Sequence, residues 1–233
     1  MTISKITENT LGGKITETLR NAIVCGHIAP GTKLSEPKLA EEYQVSRGPL
    51  REAIRRLESM KLVKHVPHEG VRVISLGLTE VIEIYHVRES LEGKAAALAA
   101  EFITDNQLDN LRHLLVLARK HMQASGGEYL QAEADIDFHY QVIRASQNRM
   151  LIKMLCEELY YLLRMYRYQS SLHPERAKEA FHEHEHLIYA LEQRDSELAE
   201  MVMRKHIIRA RQNIERKLSA TKKDQIQLRE VQP

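Results

Sequence analysis

Four side chains in the second half of the sequence have the chemistry of metal ligands, and two of them lie close together. Asp135 and His139 are four residues apart, so on a helix they project from one side, together with the apolar Ile136, Val142 and Ile143. A carboxylate and an imidazole at this spacing can bind a divalent transition metal, but the same pair is also a common hydrogen-bonded couple. The spacing alone leaves both interpretations open.

The other two candidate ligands are histidines nearer the C-terminus. His184 and His206 lie at helical spacing from apolar residues, which predicts that both face inward. His182 and His186 share a helical face with charged residues instead, and we expect them to be solvated. The inward-facing set is therefore one carboxylate and three imidazoles: Asp135, His139, His184 and His206.

Burial of these four groups would be costly without partners. An unpaired polar group costs roughly 2–7 kcal/mol to transfer into an apolar interior, and a charge costs more. A divalent metal would satisfy all four groups and leave coordination positions open for water or a ligand, and Zn, Ni, Mn or Fe would each suit these ligand types. A buried hydrogen-bonded cluster of Asp and His is the alternative.

Arg88 is a further candidate because its neighbours at helical spacing are apolar, which predicts that it faces the same interior. Glu92, four residues on, is its simplest partner. If Glu92 does not neutralise it, an inward guanidinium beside a metal would suit a small carboxylate ligand. The metal would hold one end of that ligand and Arg88 would pair with the other.

The elements that must position these groups are helices. Beyond residue 75 the pattern is helical, with breaks that divide it into six helices, at 104–105, 126–127, 147–148, 173–174 and 194–195. Thr104 and Gln107 have the spacing of a capping box, and Asp195 is the expected N-cap of the last helix. After Leu218 the chain is polar and unpatterned, which is typical of a disordered tail.

The first 74 residues have a different pattern. Apolar residues recur every fourth position from Leu11 to Ile23, a short helix is expected over 36–43, and Ser46 is placed to cap a third helix. Two β-rich pieces, around 62–66 and 71–74, are separated by a turn sequence. Three helices followed by a hairpin predict a winged helix-turn-helix.

Charge distinguishes the same two regions. Residues 1–74 contain 12 Lys and Arg and 8 Asp and Glu, a net charge of +4, whereas residues 75–233 contain 22 and 24, a net charge of −2. A basic module favours a polyanionic partner, because Lys and Arg provide most non-specific affinity for nucleic acid.

A row of arginines on the third helix supports DNA as that partner. Arg47, Arg51 and Arg55 are four residues apart, so they lie on the face opposite the Leu and Ile residues. Such a row can bind the acceptor edge of guanine or grip phosphates from the first turn of a recognition helix. A solvated charged face, with Glu52 and Arg56 as an ordinary pair, would show the same spacing. The accompanying helix-turn-helix, β-wing and basic balance favour DNA binding.

The segment APGTKLSEPKLAEEYQVSRGPLREAIRRLESMKLVKHVPHEGVRV resembles the N-terminal domain of the GntR family of bacterial transcription regulators, and the likeness covers residues 10–74. It implies DNA contacts at the start of the recognition helix and at the tip of the wing, by Ser46, Arg47, Gly48, Arg51 and Gly70. Two positions depart from the family pattern, because Pro37 and Glu69 stand where many relatives have basic residues. We therefore expect affinity to depend more on Arg47, Arg51 and Arg72, with Arg55 continuing the row.

The second half resembles the FCD ligand-binding domain of the FadR-like branch of that family. The stretches YHVRESLEGKAAALAA, ADIDFHYQVIRASQN, HEHLIYAL and RKHI stand in the expected order across residues 79–215. The resemblance implies a metal-containing effector pocket lined by Asp135, His139, His184, His206 and Arg88. Ser146 and Asn148 match an AS-x-N motif and are implied to line it too. Six rather than seven helices is nearer the VanR-like subgroup.

These observations predict a mainly α protein with four parts. Residues 1–74 form a winged helix-turn-helix, 75–78 a linker, 79–218 an antiparallel bundle of six or seven helices that binds metal and effector and dimerises, and 219–233 a tail. The expected function is a ligand-responsive transcription factor, a repressor that acts as a homodimer on a palindromic DNA operator and responds to a small organic acid. A regulator that responds to the metal alone is an alternative.

Several other classes are disfavoured. A metalloenzyme would need an additional inward carboxylate as a general base, which is not evident, and would leave the DNA module unexplained. The 233 residues contain no apolar run near the ~20 needed to span a bilayer and no export signal at the N-terminus, so we expect a cytoplasmic protein with no membrane contact. Cys25 and Cys156 are too few and too separated for a disulfide framework.

Overall fold

The chain divides into two units. The computed structural model describes the backbone of residues 10–124, 134–171 and 174–230, together with most side chains up to residue 216. The first unit comprises the chain up to Ser75 together with residues 158–166, and the second comprises residues 76–157 and the chain from Arg167 onward. The inclusion of residues 158–166 in the first unit has no counterpart in the sequence pattern.

Three helices form the body of the first unit: α1 (Leu11–Val24), α2 (Glu36–Glu42) and α3 (Arg47–Ser59). They form where apolar residues recur at helical spacing, and α1 and α2 both pack on α3. Leu19, Ile23, Leu50 and Leu57 are completely buried between them. Ser46 is the N-cap of α3 as the sequence predicts, although its side chain makes no capping hydrogen bond.

A small antiparallel sheet completes the winged helix-turn-helix. Its strands are β1 (Lys33–Leu34), β2 (Val63–Val66) and β3 (Gly70–Val73), in the order β1-β3-β2. The turn between β2 and β3 places His68 at φ 63° and Gly70 at φ 87°, a left-handed region that glycine adopts without a steric penalty. The predicted hairpin is confirmed, whereas β1 is too short for periodicity to detect.

Seven helices continue the described chain: α4 (Leu78–Phe102), α5 (Asp105–Ala124), α6 (Ala134–Ala145), α7 (Arg149–Ile152), α8 (Tyr160–Ser171), α9 (Pro174–Glu192) and α10 (Ser196–Glu230). The main packing in the second unit is that of α4 against α10, with α6 on α4 and α5, and α9 on α10. The predicted helical bundle is confirmed. None of the helices in the described ranges is long and apolar enough to cross a membrane.

The helix ends agree with the capping predictions. The backbone N–H of Thr104 donates to Gln107 Oε1 at 2.9 Å, and that of Gln107 donates to Thr104 Oγ1 at 3.3 Å, which is a capping box. Asp195 Oδ1 accepts from the backbone N–H of Leu198 at 2.9 Å and caps α10.

Two segments differ from the sequence prediction. A single helix was expected between the breaks at 147–148 and 173–174, but the described chain has α7, a π-helical segment over Lys153–Glu158, and α8. Because residues 149–171 contain neither Pro nor Gly, no local signal marks that interruption. The backbone of α10 also continues to Glu230, into the segment expected to be a tail, because residues 219–230 likewise contain no helix breaker.

Candidate functional site

Three histidines from three helices meet inside the second unit. His139 on α6, His184 on α9 and His206 on α10 are 0%, 1% and 6% exposed. One ring nitrogen from each lies within 4.8 Å of the others, and the Nε2 atoms of His139 and His206 are 3.2 Å apart. The structure thus brings together the three histidines that the sequence places inward. His182 and His186 are exposed, as the periodicity of α9 predicts.

Two buried carboxylates orient this cluster. Glu92 Oε2 lies 2.6 Å from His139 Nδ1, and Glu183 Oε2 lies 2.7 Å from His206 Nδ1. Since an ionised carboxylate only accepts, each Nδ1 carries the proton and donates, and each Nε2 presents its lone pair. Two of the three imidazoles are therefore held in the tautomer that binds a metal through Nε2.

Sequence reasoning missed Glu183 and gave Glu92 only as a partner for Arg88. The available signal was position, because Glu183 lies three residues after Ala180 and four before Leu187, which are both buried on α9. An acidic residue on a buried face needs a partner.

Arginines balance the charge of both carboxylates. Arg88 Nε donates to Glu92 Oε1 at 2.7 Å, and both side chains are buried. Arg176 donates to Glu183 Oε2 at 2.8 Å, and Arg209 donates to Glu183 Oε1 at 2.7 Å. Such pairing is what allows a carboxylate to stay ionised in a low-dielectric interior.

The protonation states suit metal binding. Burial lowers the pKa of His206 to about 4, and its hydrogen bond to Glu183 only partly opposes this. Burial raises the pKa of Glu183, but the hydrogen bond to His206 and the charges of His206 and Arg176 outweigh it and bring the pKa to about 2. At neutral pH the imidazole is therefore uncharged and the carboxylate ionised, which is the state a metal ligand and its orienting partner require.

This donor set fits a divalent transition metal. Three buried imidazoles, two of them supported by carboxylates, match a metal site that keeps positions open. The ring of His184 stacks on Phe138 with centroids 4.2 Å apart, which fixes its plane. Asp135, the predicted fourth ligand, lies on α6 one turn before His139, but its side chain is outside the described part of the chain, and its role stays a prediction.

The three side chains that are predicted to contact the effector form hydrogen bonds with residues close to them in the sequence. Arg88 has the partner that the sequence left open, Glu92. Ser146 Oγ donates to the carbonyl of Ile143 at 2.5 Å, and Asn148 caps α7 by accepting from the backbone N–H groups of Met150 and Leu151. Their contact with an effector stays a prediction.

The first unit presents the predicted arginine row. Arg47, Arg51 and Arg55 are exposed on α3, opposite the buried face that contains Leu50 and Leu57. Glu52 and Arg56 also form an ion pair, which the alternative of a solvated charged face predicts. Near the start of α3, Ser46 and Gly48 are exposed, and a Cβ atom built on Gly48 would meet no other residue.

The wing holds its own arginine in place. Arg72 Nε donates to Glu69 Oε2 at 2.7 Å, and Arg72 Nη1 donates to the carbonyl of Gly31 at 2.8 Å. Gly70 lies between Glu69 and Arg72 in the sequence, at the tip of the hairpin. Arg72 therefore joins the wing to the turn before β1, so the structure gives it a fixing role that the sequence did not indicate.

A winged helix-turn-helix with an exposed arginine row, followed by a helical bundle around a histidine cluster, defines a DNA-binding regulator with a second domain. Residues 11–73 match the family model described as bacterial regulatory proteins, gntR family, and residues 83–209 match the FCD domain model. The chain belongs to the GntR family of transcriptional regulators and carries an FCD domain.

Individual relatives agree with this assignment. The repressor RspR of Escherichia coli (strain K12) is 31% identical over 81% of this chain and 82% of its own length. The Nta operon transcriptional regulator of Aminobacter aminovorans is 33% identical, over 54% of this chain and 60% of its own length. The solved structure of E. coli McbR/YncC has a TM-score of 0.71 and 25% identity, covering 91% of this chain and 98% of that chain. The chain is thus a DNA-binding transcriptional regulator and not an enzyme.

Proposed function

We propose that this chain is a cytoplasmic repressor that binds a palindromic operator as a homodimer and is released by a small organic acid bound at a divalent metal. The observation that carries the proposal is the meeting of His139, His184 and His206, with Glu92 and Glu183 fixing two of the rings. A polar cluster without a metal would not require Nε2 atoms to face one another.

The residues have distinct roles in this proposal. His139, His184 and His206 hold the ion through ring nitrogens, with Asp135 as the proposed fourth ligand. A bound ion supplies a Lewis-acidic position that a carboxylate oxygen can occupy. Arg88 is the proposed partner for the effector, and Ser146 and Asn148 are proposed to line the same pocket. Since Arg88 already binds Glu92, an effector carboxylate would share or compete for this guanidinium.

The DNA-binding part rests on the first unit. Five residues at the start of α3 and along its exposed face are proposed to contact the major groove: Ser46, Arg47, Gly48, Arg51 and Arg55. Gly70 is proposed to contact the neighbouring groove from the wing. Because one recognition helix covers only a few base pairs, a two-fold dimer doubles the contacts and matches an inverted repeat. Repression is supported by the relative RspR, which is named a repressor. Release follows if the acid binds better to the DNA-incompetent form.

A regulator that responds to the metal alone is the second candidate. The pairing of Arg88 with Glu92 favours it, because a neutralised guanidinium is a weaker reason to expect an organic acid. The rest of the site would serve either function equally.

A thermal-melting screen of the untagged protein against small carboxylates, with and without a chelator, tests the proposal. A ligand at 100 times its dissociation constant stabilises by about 2.7 kcal/mol. We expect one acid to raise the melting temperature, and the chelator to abolish that rise. A lower melting temperature in chelator with no response to any acid would favour the second candidate. No response to either would contradict a metal site.

A further inference from the structure

One arginine of the exposed row on α3 differs from its neighbours in having a carboxylate partner. Arg51 Nε donates to Glu36 Oε2 at 3.2 Å, although the two residues lie on different helices and 15 positions apart. Arg47 and Arg55, one turn to either side of Arg51, form no ion pair with any residue in the described part of the chain. The three arginines are thus not equivalent.

The position of Glu36 explains this difference. Glu36 is the first residue of α2, and its carboxylate reaches across to the exposed face of α3. A groove of about 440 Å³ runs beside it, lined by residues of α2, the start of α3 and the wing, including Glu36, Arg47 and His68. Glu36 is followed by Pro37, so the adjacent residue offers no cation that would compete with Arg51 for its carboxylate.

The atom that Glu36 holds matters for DNA binding. A guanidinium has five donors, and a carboxylate on Nε leaves the two terminal nitrogens at the far end. Those two nitrogens match the spacing of guanine O6 and N7, which present two acceptors in the major groove. A carboxylate on Nε therefore orients Arg51 for end-on contact with a guanine.

The same carboxylate makes Arg51 a poor phosphate ligand. Phosphate contacts depend on net positive charge, and Glu36 offsets the charge of Arg51 while repelling a nearby phosphate. Arg47 and Arg55 form no ion pair in the described part of the chain, so more of their charge stays available to the DNA backbone. A charge that opposes the wrong contact is a common source of specificity.

We propose that Glu36 is a positioning residue that commits Arg51 to recognition of a guanine and lowers its affinity for phosphates, so that Glu36 sets part of the operator specificity. The inference rests on the DNA contact proposed above for Arg51. Glu36 itself touches no base. Removing its charge should increase binding to all DNA and reduce the preference for one base pair in each half-site.

Selection from a random-sequence duplex pool tests this inference. Full-length wild-type protein, Glu36→Gln and the control Glu41→Gln are each used to enrich binding sites. Affinity for the wild-type site and for an unrelated duplex of equal length is then measured over a range of salt concentrations. Glu41 is a matched control because it is exposed on α2, and its substitution changes the charge equally.

We expect Glu36→Gln to relax the preference for guanine at one position per half-site by roughly fivefold or more. Its salt dependence on unrelated DNA should steepen by about one phosphate contact. Glu41→Gln should change the guanine preference and the salt dependence of binding only by the general effect of removing one negative charge. In an Arg51→Lys background, Glu36→Gln should leave base preference unchanged, because lysine cannot make the bidentate contact.

The outcomes separate the two levels of inference. Equal base preference and equal salt slopes for Glu36→Gln and Glu41→Gln would overturn the role of Glu36. If wild-type protein enriches a site and the Arg51→Lys variant shows the same base preferences, the proposed DNA contact of Arg51 is overturned. Failure of wild-type protein to enrich any sequence would overturn both. Melting temperatures of all variants exclude misfolding as the cause.

Discussion

Residues that do not face the centre of the histidine cluster determine its chemistry. His139 and His206 are each bound at Nδ1 by a carboxylate, and each carboxylate is bound by arginine. The chain thus sets tautomer, ring direction and charge before any ion arrives, which lowers the ordering cost of binding. The sequence predicted the three histidines from helical periodicity alone. The position of Glu183 on the buried face of α9 is a sequence signal, but its pairing with His206 depends on packing between α9 and α10 and could not be predicted.

The first prediction follows from which histidines of α9 are buried and which are exposed. His184→Ala should lose bound metal, because it removes an inward ligand, whereas His186→Ala should retain it, because that side chain is exposed. Metal content per chain, measured after desalting, distinguishes the two variants. Equal loss from both would mean that the metal is not held at the buried cluster.

A second prediction at the residue scale concerns acid. The pKa of His206 is about 4 in the folded protein, below its ordinary 6.5, so the unfolded chain binds a proton first as the pH falls. The contribution to stability is complete above pH 6.5 and is lost as the pH approaches 4. The loss amounts to roughly 3 kcal/mol for this group. Glu183 follows at lower pH, because its lowered pKa stabilises the fold above 4.5 and this is lost toward 2.

Urea unfolding of metal-free protein at several pH values measures this loss. The variant His206→Gln serves as the reference, because it keeps a donor for Glu183 but has no proton to gain in this range. A wild-type curve parallel to that of His206→Gln between pH 6.5 and 4 would contradict the prediction.

At the scale of elements, the wing and the recognition helix use arginine differently. Arg51 lies on an exposed face and its ion pair is solvated, so Arg51→Ala should weaken operator binding with little change in melting temperature. Arg72 binds Glu69 and the carbonyl of Gly31, so Arg72→Ala should weaken binding and also destabilise the first unit by about 1–3 kcal/mol. Thermal melting and operator affinity of both variants check this contrast. Wild-type affinity in Arg51→Ala would remove that residue from the interface.

The elements also show what periodicity can and cannot predict. The bounds of α1, α2 and α3 and the hairpin follow from local pattern, because helix caps, Gly and Pro act within a few residues. The two-residue strand β1 exists only through pairing with β3, and no sequence pattern of that length is diagnostic. The π-helical segment between α7 and α8 likewise lacks any local signal, since no helix breaker occurs there.

At the scale of the whole molecule, the histidine cluster and the arginine row belong to different units, so regulation requires a coupling free energy between them. If an organic acid is the signal, the metal alone should change nothing in the first unit. We therefore expect a chelator, added without acid, to leave operator affinity unchanged within about threefold. With a saturating acid, operator affinity should fall, and the chelator should restore it. Fluorescence anisotropy with a selected duplex measures all four conditions.

The size of the effect has a physical bound. An acid can weaken operator binding by no more than its preference for the DNA-incompetent form, so a hundredfold preference gives at most about a hundredfold loss. His184→Ala should abolish the response to acid while leaving basal operator affinity intact, because His184 lies in the second unit. A chelator that changes operator affinity by itself, as much as any acid does, would instead identify the metal as the signal. In that case Arg88 is a structural partner of Glu92, and regulation needs no organic effector.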